Sequence, residues 1–261
     1  MYEGEEEDKV TFIIPVFNLF KNDETAKRAI RGLYNYKQLR DCDIIVSDYG
    51  STDRTRELIE SFELKYIYTE PNEGEEFNYC KCGNHGISVA KTKYICVLGV
   101  DWIIDPRVPG MIVEGFKKFK NHILQIQSNE LKDSDKRIIF NQVFYERCHL
   151  ILCKGYDERF NRWGNEDNDL LKRCCKTNHL HKKKISNKTL ARHITHPYVW
   201  RKKKYESSNI YHMKDNDKNG NKNVKNSYWN LKGAYIRKIK ANYIERFAIP
   251  INKPKKVYRC G

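Results

Sequence analysis

No apolar run in this chain approaches the roughly 20 residues that a bilayer-spanning helix requires, so no membrane span is expected. The opening Met1-Tyr2-Glu3-Gly4-Glu5-Glu6-Glu7-Asp8 is acidic, the reverse of a basic secretory start, and the expected location is cytoplasmic. No C-x-x-C pair suited to zinc occurs among the nine cysteines. Their odd number and their scatter through apolar runs point to buried reduced thiols and away from a disulfide framework. Internal repeats and recognisable nucleic-acid motifs are also missing.

What is present suits a folded protein. The 261 residues are 39% hydrophobic and 12% aromatic, long enough for one large domain or a domain with an appendage. Charge is divided unevenly: from Lys172 onward there are 25 Lys/Arg against 4 Asp/Glu, whereas the first 171 residues are mildly acidic. The net charge of +15 is thus a property of the C-terminal third. It implies an anionic partner, whether nucleic acid, an anionic membrane surface or a phosphate-bearing substrate.

In chain order, Val10 to Val16 is a continuous apolar run, as in a buried parallel strand, and it ends at Phe17-Asn18. Asn22-Asp23-Glu24 caps a helical pattern through Ala26, Ala29, Ile30 and Leu33. A second strand, Asp43 to Ser47, runs into Asp48-Tyr49-Gly50-Ser51-Thr52-Asp53. A helix marked by Leu58, Ile59 and Phe62 follows, then a short strand over Lys65 to Tyr68. After a loop over Asn72 to Gly74, a helix runs to Ala90, and strand Tyr94 to Leu98 delivers Gly99-Val100-Asp101. Strand and helix alternate, which predicts βαβ units in an open, mostly parallel sheet. Asp48 and Asp101 then stand at the C-terminal strand edge, where such sheets bind ligands, although a lone strand-end Asp also serves as a turn or helix cap.

Further on, Pro106 to Phe119 reads as a helix and His122 to Gln127 as a strand, while Ile138 to Cys153 fits either. Lys214 to Asn226 reads as a mobile loop, and Tyr228 to Phe247 returns to helical spacing, either as a packed cap or as a surface-binding element. Between them and the sheet lies Trp163-Gly164-Asn165-Glu166-Asp167-Asn168-Asp169, which follows Gly155-Tyr156-Asp157-Glu158-Arg159-Phe160. Carboxylates at a helix start are stabilised by the macrodipole and the unpaired N–H groups, so a capped N-terminus accounts for much of this run. The Trp-Gly pair adds a flat apolar face beside acids, an arrangement that can hold a sugar ring and accept hydrogen bonds from its hydroxyls.

Four segments, in order, resemble family 2 glycosyltransferases. Val10 to Asn18 is similar to their first strand, and Asp48 to Asp53 to their Asp-Asp-Gly-Ser-Thr-Asp segment. Phe77 to Ile87, then Ala90 and Tyr94-Ile95, is similar to the helix before their metal-binding strand. Trp163 to Asp169 resembles the Trp-Gly-Gly-Glu-Asp-Asp-Asp of β-1,4-galactosyltransferases and chondroitin-type polymerases. The resemblance implies an α/β GT-A fold over residues 1–200, with a nucleotide-sugar half (1–105) and an acceptor half (106–200). Residues 201–261 would form a basic extension with a mobile loop and a terminal helix.

It also implies roles. Asp167 matches the catalytic base; Trp163, Gly164 and Glu166 would bind the acceptor; Pro15, Val16, Asn18, Asp48, Tyr49 and Lys81 would bind the donor. Asp101 and His196 would hold Mn²⁺ or Mg²⁺, with His193 as the competing imidazole. The implied reaction is inverting transfer of a hexose (galactose, GalNAc or glucose) from a UDP-sugar to a hydroxyl of a glycan or glycoprotein. A retaining transferase, or an inactive GT-A protein gripping nucleic acid through the basic third, would leave the same signature. Three positions depart from the pattern. Gly99 replaces the first Asp of Asp-x-Asp. Tyr49 replaces the second Asp of the pair and offers a ring to the base. Gly83 stands where Arg is frequent, with Lys81 near enough in sequence to supply the charge.

Overall fold

The computed structural model describes residues 7–132, 135–160, 164–185, 189–194 and 207–228. The chain opens with β1 (Glu7–Val16), α1 (Asp23–Gln38), β2 (Cys42–Tyr49), α2 (Thr55–Ser61), β3 (Lys65–Thr69), α3 (Tyr79–Val89) and β4 (Thr92–Val97). It continues through β5 (Trp102–Ile104), α4 (Val108–Lys118), β6 (His122–Lys132), β7 (Asp135–Glu146) and α5 (Arg147–Leu152). The described residues end with α6 (Glu166–Asn178), β8 (His181–Ile185), β9 (Ala191–His193) and α7 (Ser207–Asn219).

The strands form one mixed sheet in the order β3-β2-β1-β4-β7-β6-β9-β5, with β8 on β6. From β3 to β4 every pairing is parallel, as the alternating pattern requires. Beyond β4 the sheet mixes: β7 runs antiparallel to both β4 and β6, whereas β8 and β9 lie parallel to β6. Buried on both faces, β1 feeds two cores. Phe12, Ile14 and Val16 pack with Leu33 and Tyr36 of α1 and Ile112 of α4. Ile13 packs with Ile87 of α3, Leu150 of α5 and Leu170 of α6. Gly86 lets α3 sit close on β1, since a Cβ there would lie 2.2 Å from Ile13 Cγ2.

Several expectations change. The ambiguous Ile138 to Cys153 stretch divides into the end of β7 and the short α5. Lys214 to Asn226 is not a mobile loop throughout, because α7 continues to Asn219. Asn and Asp have poor helix propensity, but tertiary bonds override it: Asn216 is 1% exposed and donates to Asp157 and Asp169 at 3.0 Å each. Tyr228 is not helical, and the remainder of the expected terminal helix lies outside the described residues, as do Trp163 and His196. Seven cysteines are free thiols, but Cys148 is disulfide-bonded, against the expectation of reduced sulfur. No helix among the described residues is long and apolar enough to cross a membrane.

Candidate active site

At the end of β1 the chain turns through Phe17 and Asn18, whose φ of 44° lies in the left-handed region that Asn tolerates better than most residues. The loop after β2 ties this turn down. Asn18 N donates to Ser51 Oγ at 2.7 Å, Thr52 N to Asn18 Oδ1 at 2.9 Å, and Phe20 N to Asp53 Oδ2 at 2.8 Å. Asp48 is buried and accepts from Ser51 Oγ at 2.6 Å and Tyr66 Oη at 2.8 Å. Burial pushes its pKa up, with those hydrogen bonds opposing. Tyr49 is also buried, its ring meeting the edge of Phe77. The aromatic face open at this mouth is instead Phe17, stacked on Phe77 at 5.4 Å and 38% exposed. Lys81 pairs with Glu75.

The turn after β4 is built by α1. Gly32 packs so closely that a Cβ would fall 1.7 Å from Val100 O, Asn35 brackets Ile104 with bonds to its N and O, and Tyr36 Oη donates to Gly99 O at 2.9 Å. Thus held, Asp101 meets β9: its Oδ2 lies 3.1 Å from His193 Nε2, and Ile194 N donates to Asp101 O at 2.8 Å. A Cβ on Gly99 would lie 2.7 Å from Asp101 Oδ1, so a side chain at 99 would require the Asp101 carboxylate to shift. The histidine brought to Asp101 is His193, the one named as competitor. Its carboxylate oxygen and imidazole nitrogen are donor types that suit Mn²⁺. A second cluster, Glu146, Cys148 and His149, places its ligand atoms within 4.8 Å of one another, but a disulfide sulfur is not a thiolate ligand.

The acidic stretch divides by role. Asp157 is held by Arg159 and Asn216, Glu158 by Asn84 and Ser227, and Asp169 by Arg173 at 2.7 Å and by Asn216. Arg173, 3% exposed, also donates to Cys153 O at 2.6 Å and Gly155 O at 2.7 Å, pinning the loop that carries Tyr156. Glu166 is 5% exposed and accepts from Gly164 N at 2.6 Å. Burial first, and then the charge of Asp167, push its pKa up to about 7. Asp167 alone of these acids is open to solvent. It accepts from Tyr156 Oη at 2.9 Å. The residue is exposed, but its carboxyl is set beside buried side chains, and the resulting desolvation raises its pKa above the ordinary range while the Tyr156 bond opposes the rise.

These parts converge. The charge of Asp167 raises the pKa of Cys96 on β4, after burial, and with Glu166 it does the same to Tyr79 and Cys80 at the start of α3. Leu170 and Leu171 of α6 share one core with Ile95 of β4 and with Cys80 and Ile87 of α3, so the helix bearing these acids packs with the strand that leads to Asp101 and the helix that carries Lys81. Sequence reasoning missed Tyr156 and two of the α7 asparagines, Asn216 and Asn209. The latter donates to Gly164 O at 2.9 Å. No spacing signal marks them, because their partners lie between 11 and 59 residues away.

The poly-β-1,6-N-acetyl-D-glucosamine synthase of Staphylococcus epidermidis is 28% identical over 120 residues, 44% of this chain, and the match spans only 27% of that enzyme. Among solved structures, S. aureus TarS residues 1–349 with UDP-GlcNAc aligns over 78% of this chain and 64% of its own, with TM-score 0.62 and 14% identity. The mannosyltransferase PcManGT of Pyrobaculum calidifontis, solved with GDP-Man and Mn²⁺, aligns over 85% and 74%, with TM-score 0.54 and 12% identity. Both likenesses show the fold, and the α/β GT-A class expected from the sequence holds. The model of the glycosyl transferase family 2 matches residues 11–185, well over half of the chain, and the protein belongs to that family.

Proposed function

We propose that the protein transfers a hexose from a UDP-sugar to a hydroxyl of a glycan or glycoprotein with inversion, and that Asp167 is the base. The observation that carries this reading is the division of the acidic stretch: Asp157, Glu158 and Asp169 are committed to buried partners, while Asp167 stays open at the cleft. An inverting displacement needs one base. Asp167 takes the proton of the acceptor hydroxyl, the oxygen attacks the anomeric carbon, and the nucleoside diphosphate leaves with the bonding electrons. The Gly164 turn, with Glu166 behind it and Trp163 before it, orients the acceptor ring. The donor lies across Pro15, Val16, Asn18, Asp48 and Tyr49, with Phe17 offering its face to the base and Lys81 its charge to the diphosphate. Asp101 and His193 are the pair that would hold Mn²⁺ or Mg²⁺, with His196 as a further candidate. When bound, the cation stabilises negative charge on the departing diphosphate.

The nucleotide sugars carried by the solved relatives support the donor class but differ in base and sugar, so the donor is found by assay. Incubation with UDP-Gal, UDP-GalNAc, UDP-Glc, UDP-GlcNAc and GDP-Man, with and without Mn²⁺, should release nucleoside diphosphate from one UDP-sugar. Release from none of them, with folded protein, defeats the reading. His193→Ala should raise the Mn²⁺ concentration needed for activity, and if only His196→Ala does so, the metal pair is the other one.

A further inference from the structure

We propose that Tyr156 is a positioning residue for the base: its hydroxyl holds Asp167 Oδ1, keeps the carboxylate ionised and leaves Oδ2 to the acceptor hydroxyl. The inference rests on the assignment of Asp167 as base. Tyr156 Oη donates to Oδ1 at 2.9 Å, and the tyrosine is 2% exposed while its partner faces solvent. Its backbone is clamped at both ends by one side chain, with Asn84 Nδ2 donating to Tyr156 O and Tyr156 N donating to Asn84 Oδ1, both at 2.9 Å. The ring lies edge-on to Tyr79 and is pressed against Gly83, where a Cβ would fall 3.2 Å from its Cε2. The hydroxyl therefore has little freedom to leave the carboxylate.

Apart from the α6 N-terminus, which favours any carboxylate in its first turn, the other groups around Asp167 give it no such help. Glu166 on the same helix repels it, and Tyr79 and Cys80 of α3, Cys96 of β4 and Tyr145 of β7 are buried groups whose pKa values are pushed up, leaving them uncharged. Among the described residues no cation contacts Asp167, and Tyr156 supplies the hydrogen bond to it. A donor to the charged form favours ionisation. Removing it should make Asp167 hold its proton to higher pH.

The test is Tyr156→Phe, which keeps the ring and deletes the bond. With aspartate ¹³C-labelled at the carboxyl carbon, the resonance missing in Asp167→Asn identifies the base. Its apparent pKa should rise by about one unit in Tyr156→Phe, the scale of a hydrogen bond to a charged group. The acidic limb of kcat, measured at saturating Mn²⁺, should move up with it, while donor KM and the high-pH plateau change less than about threefold. Gly83→Ala, which crowds the ring but keeps the hydroxyl, should move both in the same direction and stands in if the first variant does not fold. A resonance or a limb that stays in place in the folded variants, with Asp167→Asn inactive, overturns the proposal. Asp167→Asn that transfers sugar at the wild-type rate overturns the base assignment beneath it.

Discussion

The strand-end loops proposed to take the donor and the α6 turn proposed to take the acceptor are fixed by different physics. Around the strand ends, backbone ladders β3-β2-β1-β4 set the positions, and single bonds of Asn18 with Ser51 and Thr52 and of Phe20 N with the Asp53 carboxylate trim the loops between them. At the proposed acceptor turn, α6 has no ladder, and its first turn is placed by buried charge: Asp169 with Arg173, Asp157 with Arg159, and Asn216 of α7 bridging both carboxylates. The first arrangement distributes its stabilisation over many weak bonds. The second concentrates it in a few groups that tolerate no loss, because a buried charge without its partner is costly.

The largest effect should follow from breaking that network at its hub. Arg173→Met leaves the buried Asp169 carboxylate without its cation, though still bonded to Asn216, and frees two carbonyls, so unfolding free energy should fall by about 3–5 kcal/mol. Denaturant melts with an unchanged m-value would measure it, and a loss under about 1 kcal/mol would mean that the two halves are held alike. Next comes Asp167→Asn, which keeps the shape and removes the proton acceptor. Turnover should drop by about a hundredfold or more with UDP-sugar affinity nearly unchanged. Steady-state kinetics beside Glu166→Gln decides the roles: a dead Glu166→Gln and an active Asp167→Asn would exchange them.

Glu166 sharpens the contrast through pH. A carboxyl that holds its proton more tightly in the fold than in the unfolded chain stabilises the fold while protonated, and that contribution is lost as pH rises from about 4.5 to about 7. The part of stability owed to Glu166 should thus fall by on the order of 3 kcal/mol between pH 5 and pH 8. Glu166→Gln cannot ionise and should lack that slope. Parallel stability curves for the two proteins across this range would show that the carboxyl is hydrated after all.

The same contrast explains what the sequence disclosed. Strands β1, β2 and β4 were legible because most of both their faces is buried, so each reads as an apolar run that ends near a Gly or Asn turn, whereas β3 is a short, half-buried edge strand. The alternation of Phe12 and Ile14 against Ile13 between two cores needed no further information. Asp101 was legible from its strand end, but its partner was not. β9 is only three residues long, and the Trp102↔His193 register that brings the imidazole to it is a tertiary fact. α7 was hidden for a related reason. Ser207 to Asn219 has little amphipathic signal, and what holds it helical is the polar network seen only after folding. The acidic motif was visible as a motif, whereas its division into structural acids and one open carboxylate depends on Arg159, Arg173 and Asn216 arriving from elsewhere.

The smallest effect should come from the donor side, where one bond is one of many. Ser51 Oγ does two things: it accepts from Asn18 N at 2.7 Å and donates to Asp48 Oδ1 at 2.6 Å, joining the ends of β1 and β2. In Ser51→Ala both bonds go, but Asp48 keeps Tyr66 Oη and the Ser51 backbone N–H, and Thr52 N still holds the Asn18 side chain. The parallel ladder beneath is untouched, with Val16 still opposite Asp48. Stability should therefore fall by only about 1 kcal/mol, the net worth of an ordinary hydrogen bond or two. The functional cost should appear in donor binding, because the Phe17-Asn18 turn loosens where the nucleotide is proposed to lie. KM for the UDP-sugar should rise a few-fold at constant kcat, since the proposed base and acceptor turn belong to α6 and not to the β1 and β2 loops. A large fall in kcat at unchanged KM would show that the two sides are mechanically one, and the division drawn between them would have to be abandoned.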